Sequence, residues 1–329
     1  MDVLIALVVL AFGFLMLIKG ADFLVDGASS IAKRFNISDL IIGLTIVSFG
    51  TSAPELVVNI KAAWAGSSDM VYGNVVGSNI YNTCLILGVA GMIYPLTISK
   101  TTLRFEGALS IGLVVLLILL SNDQYLFGAT SNELSQLDGG ILLVIFMLFI
   151  IRLATHTEPL EQNMKTNTPK TITRSVYVDL ISVGGGIVGL VFGGQLVLDN
   201  AVFLAKTWGM TERVIGLTVV AIGTSLPELA TSAVAALKKN SDIAIGNVVG
   251  SNIFNILLVL GASSILTPIS FNVSSNMDLF FLLLVSLLLI CFILFNPIKE
   301  GVITQYKLAR IPSAILFLLV VAYTVFLLI

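Results

Sequence analysis

Apolar residues in this chain come in blocks of about twenty, divided by short polar stretches. A helix that crosses a bilayer needs roughly 20 residues of that kind. Ten blocks can be marked, at 3–25, 38–62, 70–95, 103–121, 138–153, 176–203, 211–237, 243–267, 277–296 and 311–328. The pattern predicts an all-α integral membrane protein with ten transmembrane helices. The longest polar interruption, 154–175, carries two prolines and divides the chain into 1–153 and 176–329. The apolar N-terminus has neither a basic leader nor a small-residue cleavage site, so it reads as the first span.

Two blocks contain residues that do not belong in lipid. GTSAPE occupies Gly50–Glu55 in the second block, and GTSLPE occupies Gly223–Glu228 in the seventh. Proline has no N–H to give and clashes with the carbonyl one turn back. Pro54 and Pro227 are therefore expected to free the carbonyls of Gly50 and Gly223. Freed carbonyls at membrane depth need protein, water or an ion. The hydroxyls of Thr51, Ser52, Thr224 and Ser225 stand beside them. A carboxylate at the centre of a membrane helix costs on the order of 3 kcal/mol. The apolar parts of spans two, three, seven and eight hold no Lys or Arg to pair with Glu55 or Glu228. Protonation or a bound cation remains.

The two motifs belong to a longer repeat. With an offset of 173 residues, GLTIVSFGTSAPELVVN (43–59) aligns without a gap on GLTVVAIGTSLPELATS (216–232). DMVYGNVVGSNIYNTCLILG (69–88) aligns in the same register on DIAIGNVVGSNIFNILLVLG (242–261). Asp26 keeps register with Asp199, and Lys33 with Lys206. The two aspartates, near predicted span ends, read as solvated or capping. Five spans separate a residue from its copy, so the copies cross the membrane in opposite directions. Two inverted five-helix repeats with broken helices at the midplane are a build used by secondary transporters.

The second motif adds oxygen. Asn74, Ser78 and Asn82 are spaced as one stripe of a helix, and Asn247, Ser251 and Asn255 form its copy. Gly73, Gly77, Gly246 and Gly250 are expected to let helices approach closely. The donors are carboxylate, hydroxyl, amide and backbone oxygen, which suits a hard cation such as Ca²⁺ or Na⁺. Ca²⁺ accepts a flexible shell of many oxygens, whereas Mg²⁺ keeps its water, so the set favours Ca²⁺. Na⁺ is close to Ca²⁺ in size and can use the same oxygens at half the charge.

Composition agrees with the pattern and removes other classes. Hydrophobic residues make up 57% of the chain and charged ones 11%, with mean hydropathy +1.04. Soluble domains carry about 25% charged residues. The net charge of −2 offers no basic face for nucleic acid. Cys84 and Cys291 lie in apolar blocks and read as free thiols, and the one histidine, His156, sits in the polar interruption without ligand spacing. No enzyme constellation lies at membrane depth, and no cofactor is expected. The acidic group Asp123, Glu133 and Asp138 reads as a solvated loop. Lys and Arg gather after the odd-numbered spans, from Lys33 and Arg34 to Lys299, Lys307 and Arg310. The positive-inside rule then puts 154–175 in the cytoplasm and both termini outside. Lys19 reads as near the inner end of span one.

GTSAPE with GNVVGSNIYN, repeated as GTSLPE with GNVVGSNIFN, resembles the two α-repeats of the cation/Ca²⁺ antiporter superfamily, and most closely its prokaryotic sodium/calcium exchangers. The resemblance covers nearly the whole chain. It implies four cation sites between spans two, three, seven and eight. Glu55 and Glu228 would be central Ca²⁺ ligands shared with Na⁺, with the backbone carbonyls of Thr51 and Thr224 completing the shell. Ser52, Ser225, Ser78 and Ser251 would line flanking Na⁺ sites, with carbonyls from Ser48 and Ala221. Spans one and six would slide against the other eight. Family members often have Asp at one of the positions held here by Asn82 and Asn255, so this middle site is one negative charge poorer, which bears on the number of Na⁺ exchanged per Ca²⁺. Gly77 and Gly250 stand where the proton-coupled branch has Glu. Expected partners are Ca²⁺, Na⁺ and the lipid of a plasma (inner) membrane, and a monomer is expected. Proton-coupled or K⁺-dependent exchange are the alternative couplings.

Overall fold

The computed structural model describes residues 3–128, 131–155, 175–210, 221–300 and 303–328. His156, Arg213 and most of the 154–175 interruption lie outside the described residues. Among the described residues the body is helical. The long helices are α1 (Val3–Phe35), the bent pair α2 (Asp39–Thr51) and α3 (Ala53–Trp64), and α4 (Ser68–Ile93). Next come α5 (Lys100–Ser121), the short α6 (Asp123–Phe127) and α7 (Gln136–Thr155). The second half holds α8 (Val176–Thr207), α9 (Ala221–Thr224), α10 (Leu226–Leu237), α11 (Ser241–Leu266), α12 (Val273–Leu294) and α13 (Arg310–Leu328). Eight of these are long and apolar enough to cross a membrane, or nine with the bent pair counted as one span. The marked blocks match these helices to within a few residues, apart from the first. The first part of the seventh block, 211–220, falls outside the described residues.

The helix that carries the first block is longer than the block itself. At about 1.5 Å per residue, the 33 residues of α1 measure about 50 Å, against about 30 Å of hydrocarbon. Lys19 is exposed, and the helix runs on past it to Phe35, beyond the length that the hydrocarbon needs. Asp26 is exposed, as a solvated residue is, and does not cap the helix. It accepts from Lys238 Nζ at 2.8 Å, and Asp22 lies 3.1 Å from the same ammonium. Asn240 Nδ2 adds bonds to Ser29 Oγ (2.9 Å) and Asp39 Oδ2 (2.7 Å), tying α1 to the turn between α10 and α11. Among the described residues the counterpart Asp199 accepts a local bond from Gln195, at 2.7 Å.

Helices α1 and α8 pack closely along their length. A Cβ on Gly20 would stand 2.8 Å from Leu190 N, and one on Gly186 would stand 2.6 Å from Leu24 N. Only glycine allows that approach. At the end near Phe35, Arg34 Nη2 meets the fully buried Asp179 carboxylate at 3.3 Å. The centre of the bundle belongs to α4 and α11. Their apolar windows are 72% and 83% buried, against 17–33% for the other six unbroken long helices, so these two carry interior surface.

Short antiparallel strands join the connections on each face. β1 (Leu96–Ser99) pairs with β5 (Ile303–Leu308), which also pairs with β4 (Pro297–Glu300). β2 (Glu133–Leu134) pairs with β3 (Ile269–Ser270). The β1–β5 and β2–β3 pairings each join a connection of the first half to one of the second, while β4–β5 is a hairpin within the second half. Asp138 is also more ordered than a solvated acid. It is buried and caps the start of α7 by accepting from Ser135 N (2.8 Å) and Oγ (2.6 Å). Partial burial, then the charges of Asp138 and Glu133, hold Asp123 above the ordinary aspartate range. Cys84 is buried and Cys291 exposed, and both are free thiols.

The four motif glycines do not share one role. A Cβ on Gly246 would lie 2.8 Å from Leu40 O and 3.0 Å from Gly43, so α11 needs glycine to sit against α2. A Cβ on Gly73 or Gly77 meets nothing within 4 Å among the described residues. Those two line a cavity instead of a helix contact. Gly246→Ala is therefore expected to destabilise the fold by about 1–3 kcal/mol. Gly73→Ala should stay within about 0.5 kcal/mol. Thermal unfolding of the two variants in detergent checks the contrast; equal losses would contradict it.

Candidate functional site

The GTSxPE motifs break the helices, at a different residue from the one expected. Ser52 has φ −88° and ψ 4°, outside the helix, and Ser225 has φ −90° and ψ 8°. The axis bends by 47° between α2 and α3. Pro54 and Pro227 stand in the first turns of α3 and α10, where a missing N–H costs nothing. The prolines thus start new helices, and the serines make the breaks. Glu55 and Glu228 occupy the same first turns. The positive end of a helix macrodipole there favours a carboxylate.

Helices α4 and α11 bring the second motif to these breaks. Ser48, Thr51, Ser52, Glu55, Ser78, Asn82, Ser225, Glu228, Ser251 and Asn255 are all buried. Thr224 is partly buried, and Ala221 opens α9. Ser52 Oγ donates to Glu228 Oε1 at 3.0 Å and lies 2.9 Å from Ser251 Oγ, so one contact joins three expected site residues from both halves. Thr51 Oγ1 donates to Asn247 Oδ1 at 3.0 Å. Asn247 Nδ2 donates to Ser232 Oγ (2.9 Å) and to the Glu228 carbonyl (3.3 Å). In the first half Asn59 Nδ2 donates to the Glu55 carbonyl at 2.8 Å. Ser52, three residues before Glu55, bonds Glu228, so the two carboxylates share one buried region, where like charges repel.

Asn82 and Asn255 each begin a π-bulge, Asn82–Ile86 and Asn255–Leu260, within α4 and α11. Such bulges are frequent at functional sites. The two side chains are held by residues that motif reasoning passed over. Asn82 Nδ2 donates to Asn252 Oδ1 at 3.1 Å, and Asn255 Nδ2 donates to Asn79 Oδ1 at 3.1 Å. Asn252 Nδ2 donates in turn to Thr83 Oγ1 (3.0 Å), and Asn79 Nδ2 to the Asn252 carbonyl (3.2 Å). These bonds occupy the amide N–H groups and leave the Asn82 and Asn255 Oδ1 atoms without a donor. A signal existed: Asn79 and Asn252 are the last letter of GSN in both copies, at the offset of 173.

Buried acceptors without donors collect here. Glu55 Oε2, Glu228 Oε2, Asn82 Oδ1, Asn255 Oδ1 and Ser225 Oγ are buried and unbonded. Most buried polar atoms have a partner. A group of oxygens that lacks donors is matched by positive charge. The stripe residue Asn74 differs, since it leaves its amide nitrogen unbonded at the cavity edge.

A family model described as sodium/calcium exchanger protein matches residues 5–154 and 179–329. The chain belongs to the sodium/calcium exchanger family. Members of this family are membrane antiporters and not enzymes. The chain is similar to the putative antiporter CaxA of Alkalimonas amylolytica, 41% identical over 80% of this chain and 82% of that one. It is similar to the sodium/calcium exchanger MaX1 of Methanosarcina acetivorans, 30% identical over 96% of this chain and 97% of that one. Among solved structures it matches the sodium-calcium exchanger NCX_Mj, soaked with 10 mM Na⁺ and 10 mM Sr²⁺, with TM-score 0.80 and 28% identity. That match covers 98% of this chain and 99% of the other. As a member of this family the protein is an integral, multi-pass membrane antiporter.

Proposed function

We propose that this protein exchanges Na⁺ for Ca²⁺ by alternating access at one midplane site shared by the two ions. The observation that carries the reading is the group of buried, donorless oxygens around Glu55 and Glu228. In this reading 211–220 completes the seventh span. Residues 1–153 and 176–329 form inverted five-helix repeats joined by a cytoplasmic linker, 154–175. Both termini lie outside. The membrane is the plasma (inner) membrane, in keeping with the similar inner membrane protein YrbG of Escherichia coli, 38% identical over 80% of this chain. The working unit is one chain.

Ca²⁺ is held by the Glu55 and Glu228 carboxylates and the main-chain oxygens of Thr51 and Thr224. It neutralises both carboxylates, and two Na⁺ achieve the same balance. Without cations, two like charges share a dry site and repel. The moving helices therefore cross the midplane most readily when the charge is matched, which couples the two ions. Ser52, Ser225, Ser78 and Ser251 line flanking Na⁺ sites, with the carbonyls of Ser48 and Ala221. The Oδ1 atoms of Asn82 and Asn255 supply neutral oxygen between the carboxylates. The tightly packed pair α1 and α8 slides as a unit, and the link from Lys238 to Asp22 and Asp26 holds its cytoplasmic end.

Ca²⁺ uptake into Na⁺-loaded proteoliposomes diluted into Na⁺-free buffer tests the reading, with the pH gradient collapsed by an ionophore. Uptake that requires internal Na⁺ supports it. Uptake that ignores Na⁺ and follows an imposed pH gradient sinks it in favour of proton coupling. A requirement for K⁺ on the Ca²⁺ side would make the exchange K⁺-dependent. In the same assay Ser52→Ala removes the hydroxyl bonded to Glu228, a charge-assisted bond. It is expected to raise the Na⁺ half-saturation by roughly tenfold and the Ca²⁺ value by less. Equal shifts for both ions would count against separate flanking Na⁺ sites.

A further inference from the structure

A cavity of about 370 Å³ opens beside the site, at the end of the bundle where α4 and α12 begin. Its wall includes Ser78 and Thr224, two expected ion-site residues, and also Asp278 of α12 and Tyr323 of α13. The cavity thus reaches two of the expected ion-site residues from one face. On the proposed topology that face is the outer one. Asp278 is the one charged residue among the described lining residues. Tyr323, itself buried, donates its hydroxyl to Asp278 Oδ1 at 2.6 Å. The Tyr323 ring is stacked on Phe281, with centroids 4.4 Å apart and planes 6° apart, so the donor is fixed. One carboxylate oxygen is thus pinned, and among the described residues no Lys or Arg pairs with Asp278. The repeat has no copy of this arrangement. The register partner of Asp278 is Phe105, and the adjacent acid, Glu106, is bridged by Arg152 at 3.1 Å.

We infer that Asp278 is a cation-holding site in the access cavity, where a hydrated alkaline-earth ion binds before it reaches Glu55 and Glu228. The inference rests on the exchange reading for the ion's destination, and on the cavity for the site itself. A lone carboxylate between low-dielectric walls concentrates cations, and the attraction to a divalent ion is twice that to a monovalent one. One carboxylate and a few hydroxyls fall short of the 6–8 oxygens that Ca²⁺ takes, so the ion keeps much of its water there. Holding is weak, which lets the ion pass inward. The absence of a copy in the other half makes the effect one-sided.

The test is Asp278→Asn, which retains an acceptor for Tyr323 but removes the charge. Ca²⁺ transport is measured in right-side-out and inverted membrane vesicles. The expected result is a rise of about tenfold in KM for Ca²⁺ at the outer face, with maximal rate and inner-face KM unchanged. Asp278→Glu should restore most of the outer affinity. No change, or equal change at both faces, overturns the proposal. A second readout is independent of transport: Tb³⁺ emission sensitised by tyrosine in purified protein should fall by at least about half in Asp278→Asn and in Tyr323→Phe. Unchanged emission in both variants overturns the site even where wild-type exchange is normal. Absence of wild-type exchange with a normal Tb³⁺ loss would reject the exchange reading alone and leave the site standing.

Discussion

Glu228→Gln abolishes Na⁺-driven Ca²⁺ uptake, by at least about 100-fold, while the protein still assembles in the membrane. The side chain keeps its size and can still accept from Ser52 Oγ, which lies 3.0 Å from Oε1 in the wild type. What disappears is one of two negative charges in a buried site. Losing one partner of a desolvated charge pair costs on the order of 2–5 kcal/mol, or about 30- to 4,000-fold in affinity. Relief of repulsion from Glu55 works the other way on stability. The amide is thus expected to leave thermal stability without Ca²⁺ equal or raised, and to erase the stabilisation that added Ca²⁺ gives the wild type. Transport and the Ca²⁺-dependent rise in Tm are the paired measurements. Wild-type transport rates in Glu228→Gln, or a preserved Ca²⁺-dependent rise in Tm, would remove Glu228 from the ion site. The copy Glu55→Gln is expected to behave alike.

Asn252→Ala produces the second large effect although Asn252 is not an expected ion ligand. Its side chain accepts from Asn82 Nδ2 at 3.1 Å and donates to Thr83 Oγ1 at 3.0 Å. Truncation leaves a buried amide and a buried hydroxyl without partners, each at about 1–3 kcal/mol. Asn82 is then free to rotate its nitrogen toward the ion, which exchanges an acceptor for a donor facing a cation. A rise of about tenfold or more in the Ca²⁺ KM is expected, with a lower Tm. Thr83→Val separates the two contacts, because it removes only the partner of Asn252 Nδ2. It should lower Tm with little change in KM. An equal KM shift in Thr83→Val, or none in Asn252→Ala, would show that Asn252 does not set the direction of the Asn82 oxygen.

Much of the architecture was legible because its causes are local in the chain. Span length follows from bilayer thickness, so blocks of apolar residues marked the helices to within a few residues. The two motifs were visible because Pro, Glu, Asn and Ser are conspicuous in apolar surroundings and recur at one offset. Reading was weaker where hydropathy stopped carrying the signal. The polar residues Asp26, Lys33 and Arg34 ended span one on the hydropathy pattern, yet helix α1 continues through them, since a helix beyond the apolar layer needs no apolar run. The break at Ser52 was assigned to Pro54 because proline is the familiar breaker. A proline in the first turn is compatible with a helix, and the chain uses it as a start.

Contacts between the halves were not legible. Asn79 lies off the Asn74, Ser78 and Asn82 stripe by helical spacing, and nothing local points to Asn255 as its partner 176 residues away. Likewise Gly73 and Gly246 are equivalent letters, yet one borders a cavity and the other seats a helix, because identical sequences in the two halves meet different neighbours. The sequence by itself determined that this chain crosses the membrane many times, repeats itself, and carries two carboxylates and their hydroxyls in apolar blocks. Those properties depend on residue type, spacing and the cost of charge in lipid. The tertiary structure alone decided which oxygens are left without donors, which amides hold them, and which cavity Asp278 lines. Those depend on distances across the bundle, which packing sets and periodicity does not encode.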